Sequence, residues 1–148
     1  MPVALILIAV AAFFFDRWLK LMATAAPTSV ARIIDGVILF EPLINNRGPL
    51  GIVLPSYLFF ILAVTIISAL LGLAWYERST INRGLLALLA LGVISNGYDR
   101  LKFNYIIDVF SLLGRMSFNL ADLLILTGLA GIIVRHWSAR RRSAHIAP

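Results

Sequence analysis

The sequence predicts an all-α integral membrane protein, a single domain of four transmembrane helices with a small extracytoplasmic β element. Three observations carry that prediction. Hydrophobic residues make up 61% of the 148 and the mean hydropathy is +0.94, while only 14% are charged, too few to cover a water-facing surface. Four long apolar stretches are separated by short polar connections. The arginines gather at one end of the chain, at Arg135 and Arg140–Arg142. A net charge of +6 could indicate a nucleic-acid partner, but the positive-inside rule accounts for it, so none is expected.

The first helix is expected at about 2–25, beginning with the apolar run Pro2–Phe15 and continuing through Asp16–Lys20. Ala23-Thr24-Ala25 resembles a signal-peptide cleavage site. Against that reading, no Lys or Arg precedes the apolar run, and Asp16, Arg17 and Lys20 interrupt the approach to the site. Asp16 and Lys20 are four apart and share a helix face, the acid N-terminal to the base. Taken alone they read as an interfacial ion pair, worth little.

From about 28 to 54 the character changes. Asp35-Gly36 between Ile33-Ile34 and Val37–Phe40 is a hairpin signal, since both residues tolerate positive φ, so a small extramembrane β element is expected here. Asn45-Asn46-Arg47-Gly48-Pro49 reads as a turn. The second helix, about 56–76, is uncharged and bounded by Tyr57, Trp75 and Tyr76, aromatic residues suited to the two interfaces. The third is expected at about 83–100 and the fourth at about 118–137, followed by a cytoplasmic basic tail at 138–148 suited to an anionic leaflet. The stretch between them, Lys102–Ser117, reads as an outer connection whose apolar part, Tyr105–Phe110, dips back to the membrane surface.

Four spans put both termini on one side, and the arginines place that side in the cytoplasm. One consequence is not visible in composition. Helix one leaves the membrane at Asp16–Lys20, helix three leaves at Asn96–Arg100, helix four enters at Asn119–Asp122, and Asn46 precedes helix two. All the polar clusters therefore meet at the outer boundary. Asn96, Asp99 and Arg100 share a helical face, and Asn119 and Asp122 are three apart. Asp108, in the outer connection, is placed to face Asp122. Acidic groups beside a bilayer are costly and usually functional. Two carboxyls held close share a proton and can activate water against an amide. Each polar residue alone reads better as an interfacial helix-end charge; their convergence favours a membrane-embedded aspartyl protease.

With no cysteine there is no disulfide and no thiol nucleophile, and His136 and His145 both lie near the C-terminus, so neither a metal nor a cofactor is expected.

These segments together resemble a known family. Asp16-Arg17-Trp18-Leu19-Lys20, Asn46-Arg47-Gly48, Asn96-Gly97-Tyr98-Asp99-Arg100, Ile106-Ile107-Asp108-Val109-Phe110 and Phe118-Asn119-Leu120-Ala121-Asp122 occur in the order found in the lipoprotein signal peptidases, or signal peptidase II. The match spans nearly the whole chain, and its specific part is Asn-x-x-Asp-Arg followed by Phe-Asn-x-Ala-Asp. The resemblance implies four transmembrane helices, a β-cradle and an aspartyl dyad that removes signal peptides from prolipoproteins, cutting before a diacylglyceryl-cysteine. Carried over by position, the dyad is Asp108 and Asp122. Asp16, Lys20, Asn46, Gly48, Asn96, Arg100 and Asn119 form the supporting or substrate-binding shell, with Asp99 holding the Asn-x-x-Asp-Arg turn. Asp99 stays open as an alternative partner of Asp122; Asp108 is preferred because Asp99 has an adjacent arginine to satisfy it. The implied partners are lipidated prolipoproteins and membrane lipid, and the implied setting is a monomer in the bacterial inner membrane, its active site near the outer face.

This chain departs from the family pattern in four places. Asn45 stands where an arginine is common, Ser95 where glycine is usual, and Pro49-Leu50-Gly51-Ile52 where small residues and an aromatic are usual. The interval from Asp108 to Asp122 is also short. Two other readings compete. A small proton or cation transporter would place its acids near the bilayer midplane, not at one interface. An inactive or re-purposed homologue that binds lipidated proteins would have no need of both Asp108 and Asp122.

Overall fold

The computed structural model describes residues 2–47 and 55–144. Gly48 and the 49–52 departure lie outside the described residues. The chain runs α1 (Pro2–Ala25), β1 (Ala31–Ile34), β2 (Ile38–Asn45), α2 (Ser56–Tyr76), α3 (Thr80–Phe103), β3 (Ile106–Leu112), β4 (Met116–Phe118) and α4 (Leu120–Ala144).

Helix α3 packs against the other three helices. Glycines let α3 and α4 approach closely. A Cβ on Gly92 would lie 2.6 Å from the Ala121 carbonyl oxygen, and one on Gly128 would lie 2.7 Å from the Leu85 carbonyl oxygen. Ala9, Leu85, Leu88 and Leu124 form the buried apolar cluster between α1, α3 and α4. Large apolar side chains elsewhere on the helices, among them Leu7, Phe14, Ile61, Leu71, Leu126 and Ile133, point outward, as a lipid solvent permits.

Among the described residues three helices are long and apolar enough to cross a membrane: Tyr57–Tyr76, Thr80–Phe103 and Leu120–Ser138. Helix α1 has 24 residues but carries Asp16, Arg17 and Lys20 in its second half. The helix ends follow local chemistry. Ser79 accepts the Asn82 N–H and starts α3 three residues before the expected 83. Asn104, in the left-handed conformation with φ 65°, closes it by donating its N–H to the Arg100 carbonyl. Between α2 and α3, Glu77 accepts the Ser79 N–H at 2.7 Å and Asn82 Nδ2 at 2.9 Å, and Arg135 of α4 donates to Asn82 Oδ1 at 2.6 Å.

The β element is larger than expected. It is a four-stranded antiparallel sheet in the order β1-β2-β3-β4, and half of its strands come from the connection between α3 and α4. The reading of that connection as an apolar surface dip is corrected: Ile106–Leu112 pairs with β2 along its length. Its turn carries no Asn-Gly or Asp-Gly signal, because Leu113 and Gly114 supply the two positive φ angles, 53° and 63°. The β1–β2 hairpin does turn at Asp35-Gly36, with Gly36 at φ +67°. Pro42, which has no N–H to pair, sits where the β2–β3 register slips between Phe40 and Leu43, and after the slip Leu43 lies opposite Asp108. Val109 and Ile107 of β3 pack on Leu19 and Ala23 of α1, which anchors the sheet to the helix bundle.

Candidate active site

The site is assembled at the N-terminus of α4. Asn119 is the residue before the helix and Asp122 its third residue. Asn119 Oδ1 accepts the Asp122 N–H and Asp122 Oδ2 accepts the Asn119 N–H, each at 3.0 Å. This reciprocal pair is a capping box, so Asn-x-x-Asp has a local reason to start a helix here. Asn119 also reaches away from the helix: its Nδ2 donates to Asp108 Oδ1 at 3.1 Å and to the Ile107 carbonyl at 3.4 Å. One buried asparagine thus touches both acids.

Asp108 is buried on β3. Its other oxygen, Oδ2, accepts Asn45 Nδ2 from the end of β2 at 3.0 Å and Ser117 Oγ from β4 at 2.7 Å. Asp122 is less enclosed. Asn96 Nδ2 donates to its Oδ1 at 2.8 Å, and the side chain lines a cleft of about 350 Å³. Asn45, Asn96, Arg47 and Arg100 line the same cleft, and the opposite wall is apolar, with Phe59, Leu62, Ala63, Ile66, Val93 and Ile125.

Beneath the two acids lies a buried ionic network. Lys20 Nζ meets Asp16 at 3.2 Å, Asp99 at 2.8 Å and Asn96 Oδ1 at 2.8 Å. Asp16 accepts Ser95 Oγ at 2.5 Å and, across the bundle, the Ala121 N–H at 2.9 Å, one of the N–H groups that a helix start leaves unpaired. Arg17 Nη1 meets Asp99 at 2.5 Å and the Ser95 carbonyl at 3.3 Å, with its guanidinium 4.5 Å from the centre of the Tyr98 ring. Asp16, Lys20 and Asp99 are fully or almost fully buried, and two acids face two bases, so the set carries no net charge.

The expectation that Asp99 is satisfied by its neighbour Arg100 is corrected. Asp99 turns to Arg17 and Lys20, and its Oδ2 also accepts the Ile107 N–H at 3.4 Å. Arg100 turns the other way. It donates to the carbonyls of Asn46 (3.2 Å) and Arg47, and its guanidinium lies 4.5 Å from the centre of the Phe59 ring. Asn46 therefore enters the site through its backbone.

Among the described residues four side chains that donate to these acids were not among the candidates: Arg17, Asn45, Ser95 and Ser117. Asn45 and Ser95 are two of the departures from the family pattern, and each donates to an acid, Asp108 and Asp16 respectively. Arg17 sits beside Asp16 in sequence, but its partner Asp99 is on another helix. Ser117 becomes readable only once β3 and β4 are paired.

Known proteins resemble this chain in sequence and in fold. Residues 8–138 match the family model described as Signal peptidase (SPase) II. A lipoprotein signal peptidase of Halothermothrix orenii is 34% identical over 66% of this chain and 70% of its own length. One from Streptococcus thermophilus is 30% identical over 88% of this chain and 90% of its own. In fold, a solved bacterial membrane enzyme superposes with a TM-score of 0.81 at 24% identity, covering 91% of this chain and 88% of that one. A second superposes at 0.79 and 23%, covering 89% and 91%. With apolar helices of membrane-spanning length and a family match over most of its length, the chain belongs to the signal peptidase II family of membrane peptidases.

Proposed function

We propose that the protein removes signal peptides from diacylglyceryl-modified prolipoproteins, cutting before the lipidated cysteine, with Asp108 and Asp122 as the aspartate dyad. The observation that carries this reading is Asn119, whose side chain bonds one acid while its backbone bonds the other. In the proposed reaction one carboxylate takes a proton from water as the water oxygen bonds to the scissile carbonyl carbon. The other carboxyl gives its proton to the carbonyl oxygen. On collapse the first carboxyl gives the proton it took to the departing amine, the second recovers its proton from the hydroxyl as the carbonyl re-forms, and the C–N bond breaks. The apolar wall of the cleft, with Phe59, Leu62 and Ile66, suits a greasy signal segment and its lipid.

In this reading α1 is the fourth span, the monomer lies in the bacterial inner membrane with both termini cytoplasmic, and the dyad sits near the outer face. Purified protein incubated with diacylglyceryl-modified prolipoprotein should release a product whose new N-terminus is the lipidated cysteine, read by mass spectrometry. No cleavage, or a cut elsewhere, contradicts the assignment. Topology has its own test. A reporter fused after His145 should be active only in the cytoplasm and one in the 28–45 segment only outside; periplasmic activity from the C-terminal fusion would overturn the orientation.

A further inference from the structure

Among the described residues Asp108 is gripped by three donors, from β2, β4 and the start of α4. Asn45 and Ser117 both donate to Oδ2, and Asn119 donates to Oδ1. Each carboxylate oxygen offers about two lone-pair sites. Oδ2 is therefore full, while among the described residues Asn119 is the one side chain donating to Oδ1, which keeps a second acceptor site.

The grip of Asn45 is itself fixed. Its Oδ1 accepts the Arg47 N–H at 3.0 Å, an Asx turn that settles which end of the amide faces Asp108. Arg100 holds that turn by donating to the carbonyls of Asn46 and Arg47. A line of contacts thus runs from Arg100 through the 46–47 backbone and Asn45 to the carboxylate. Asn45 also lines the cleft with Asp122, so the line ends where a substrate would sit.

We propose that Asn45 and Ser117 are positioning residues: by filling both acceptor sites of Oδ2 they leave Oδ1 as the oxygen of Asp108 that takes the proton of the attacking water. This rests on the dyad reading above. Both residues act through Asp108, so their loss slows the chemical step and leaves substrate binding alone.

The test is cleavage kinetics on diacylglyceryl-modified prolipoprotein with purified protein in detergent, comparing Asn45→Ala, Ser117→Ala, Ser117→Thr and Asp108→Asn. A misplaced catalytic group can cost up to about 10²-fold, so Asn45→Ala and Ser117→Ala should each lower kcat by roughly tenfold, with KM within about twofold. Ser117→Thr keeps the hydroxyl and should restore kcat. Ser117 is exposed on β4, so its truncation leaves the fold intact even where Asn45→Ala lowers the yield. Unchanged kcat in both alanine variants, with Asp108→Asn inactive, would overturn the positioning role and leave the dyad standing. An active Asp108→Asn would remove the dyad itself. Raised KM at unchanged kcat would make Asn45 a substrate-binding residue and would also overturn the proposal.

Discussion

Asp108→Asn and Asp122→Asn should each abolish turnover while the protein still inserts into the membrane and still binds lipidated substrate. Asparagine keeps the size of the side chain and most of its hydrogen bonding, but it cannot exchange a proton near neutral pH. Only the acid/base step is removed. General acid/base catalysis is worth about 10²–10⁴ in rate, and losing one member of a coupled pair costs more than its separate share. The two variants should differ in stability. Asp122 uses both oxygens, one for Asn96 and one for the Asn119 N–H, so Asp122→Asn weakens the capping box and costs about 1 kcal/mol. In Asp108→Asn the amide can turn its oxygen to Asn45 and Ser117 and keep both bonds, losing the one from Asn119 Nδ2, which keeps the Ile107 carbonyl. Cleavage rates and melting curves on the same preparations separate the two effects.

The largest effect on stability should come from Lys20→Met. Lys20 is the buried ammonium shared by Asp16, Asp99 and Asn96, and methionine fills its volume without its charge. Removing one partner of a buried ion pair costs about 3–5 kcal/mol because a charge is left uncompensated. Among the described residues Asp16 then has no cation left and Asp99 keeps Arg17. Arg17→Ala should cost clearly less, since that side chain is 22% exposed and water can replace it. Adding Asp99→Asn to Lys20→Met should recover part of the loss, as expected for residues in direct contact. Thermal melts in detergent for the four proteins complete the cycle; an additive double variant would mean that Lys20 and Asp99 do not act as a pair.

What could be read from the sequence was what is local. The Asn119-x-x-Asp122 spacing is a capping box in three dimensions, and Asp16 and Lys20 pair as their four-residue spacing requires. What could not be read depended on pairing between distant segments. β3 and β4 went unseen because Leu113 occupies a positive-φ turn position where no sequence rule expects it. With that hairpin hidden, the Ser117 and Asn45 contacts to Asp108 had no basis. The partner of Asp99 was misjudged for a similar reason. Arg100 is adjacent in sequence but turns to the 46–47 backbone, and Arg17, on another helix, takes its place. Neighbours on a helix point about 100° apart, and the element that crosses each one decides its partner.

That correction bears directly on which acid works with Asp122. Asp99 is fully buried and committed to Arg17 and Lys20, whereas Asp108 shares Asn119 with Asp122. The most direct measurement compares Asp99→Asn with Asp108→Asn for cleavage of diacylglyceryl-modified prolipoprotein at matched amounts of folded protein. The dyad of Asp108 and Asp122 predicts that Asp108→Asn is inactive per folded molecule, while Asp99→Asn loses yield and thermal stability before it loses rate. Near-normal cleavage by Asp108→Asn together with an inactive, well-folded Asp99→Asn would contradict it and make Asp99 the partner of Asp122.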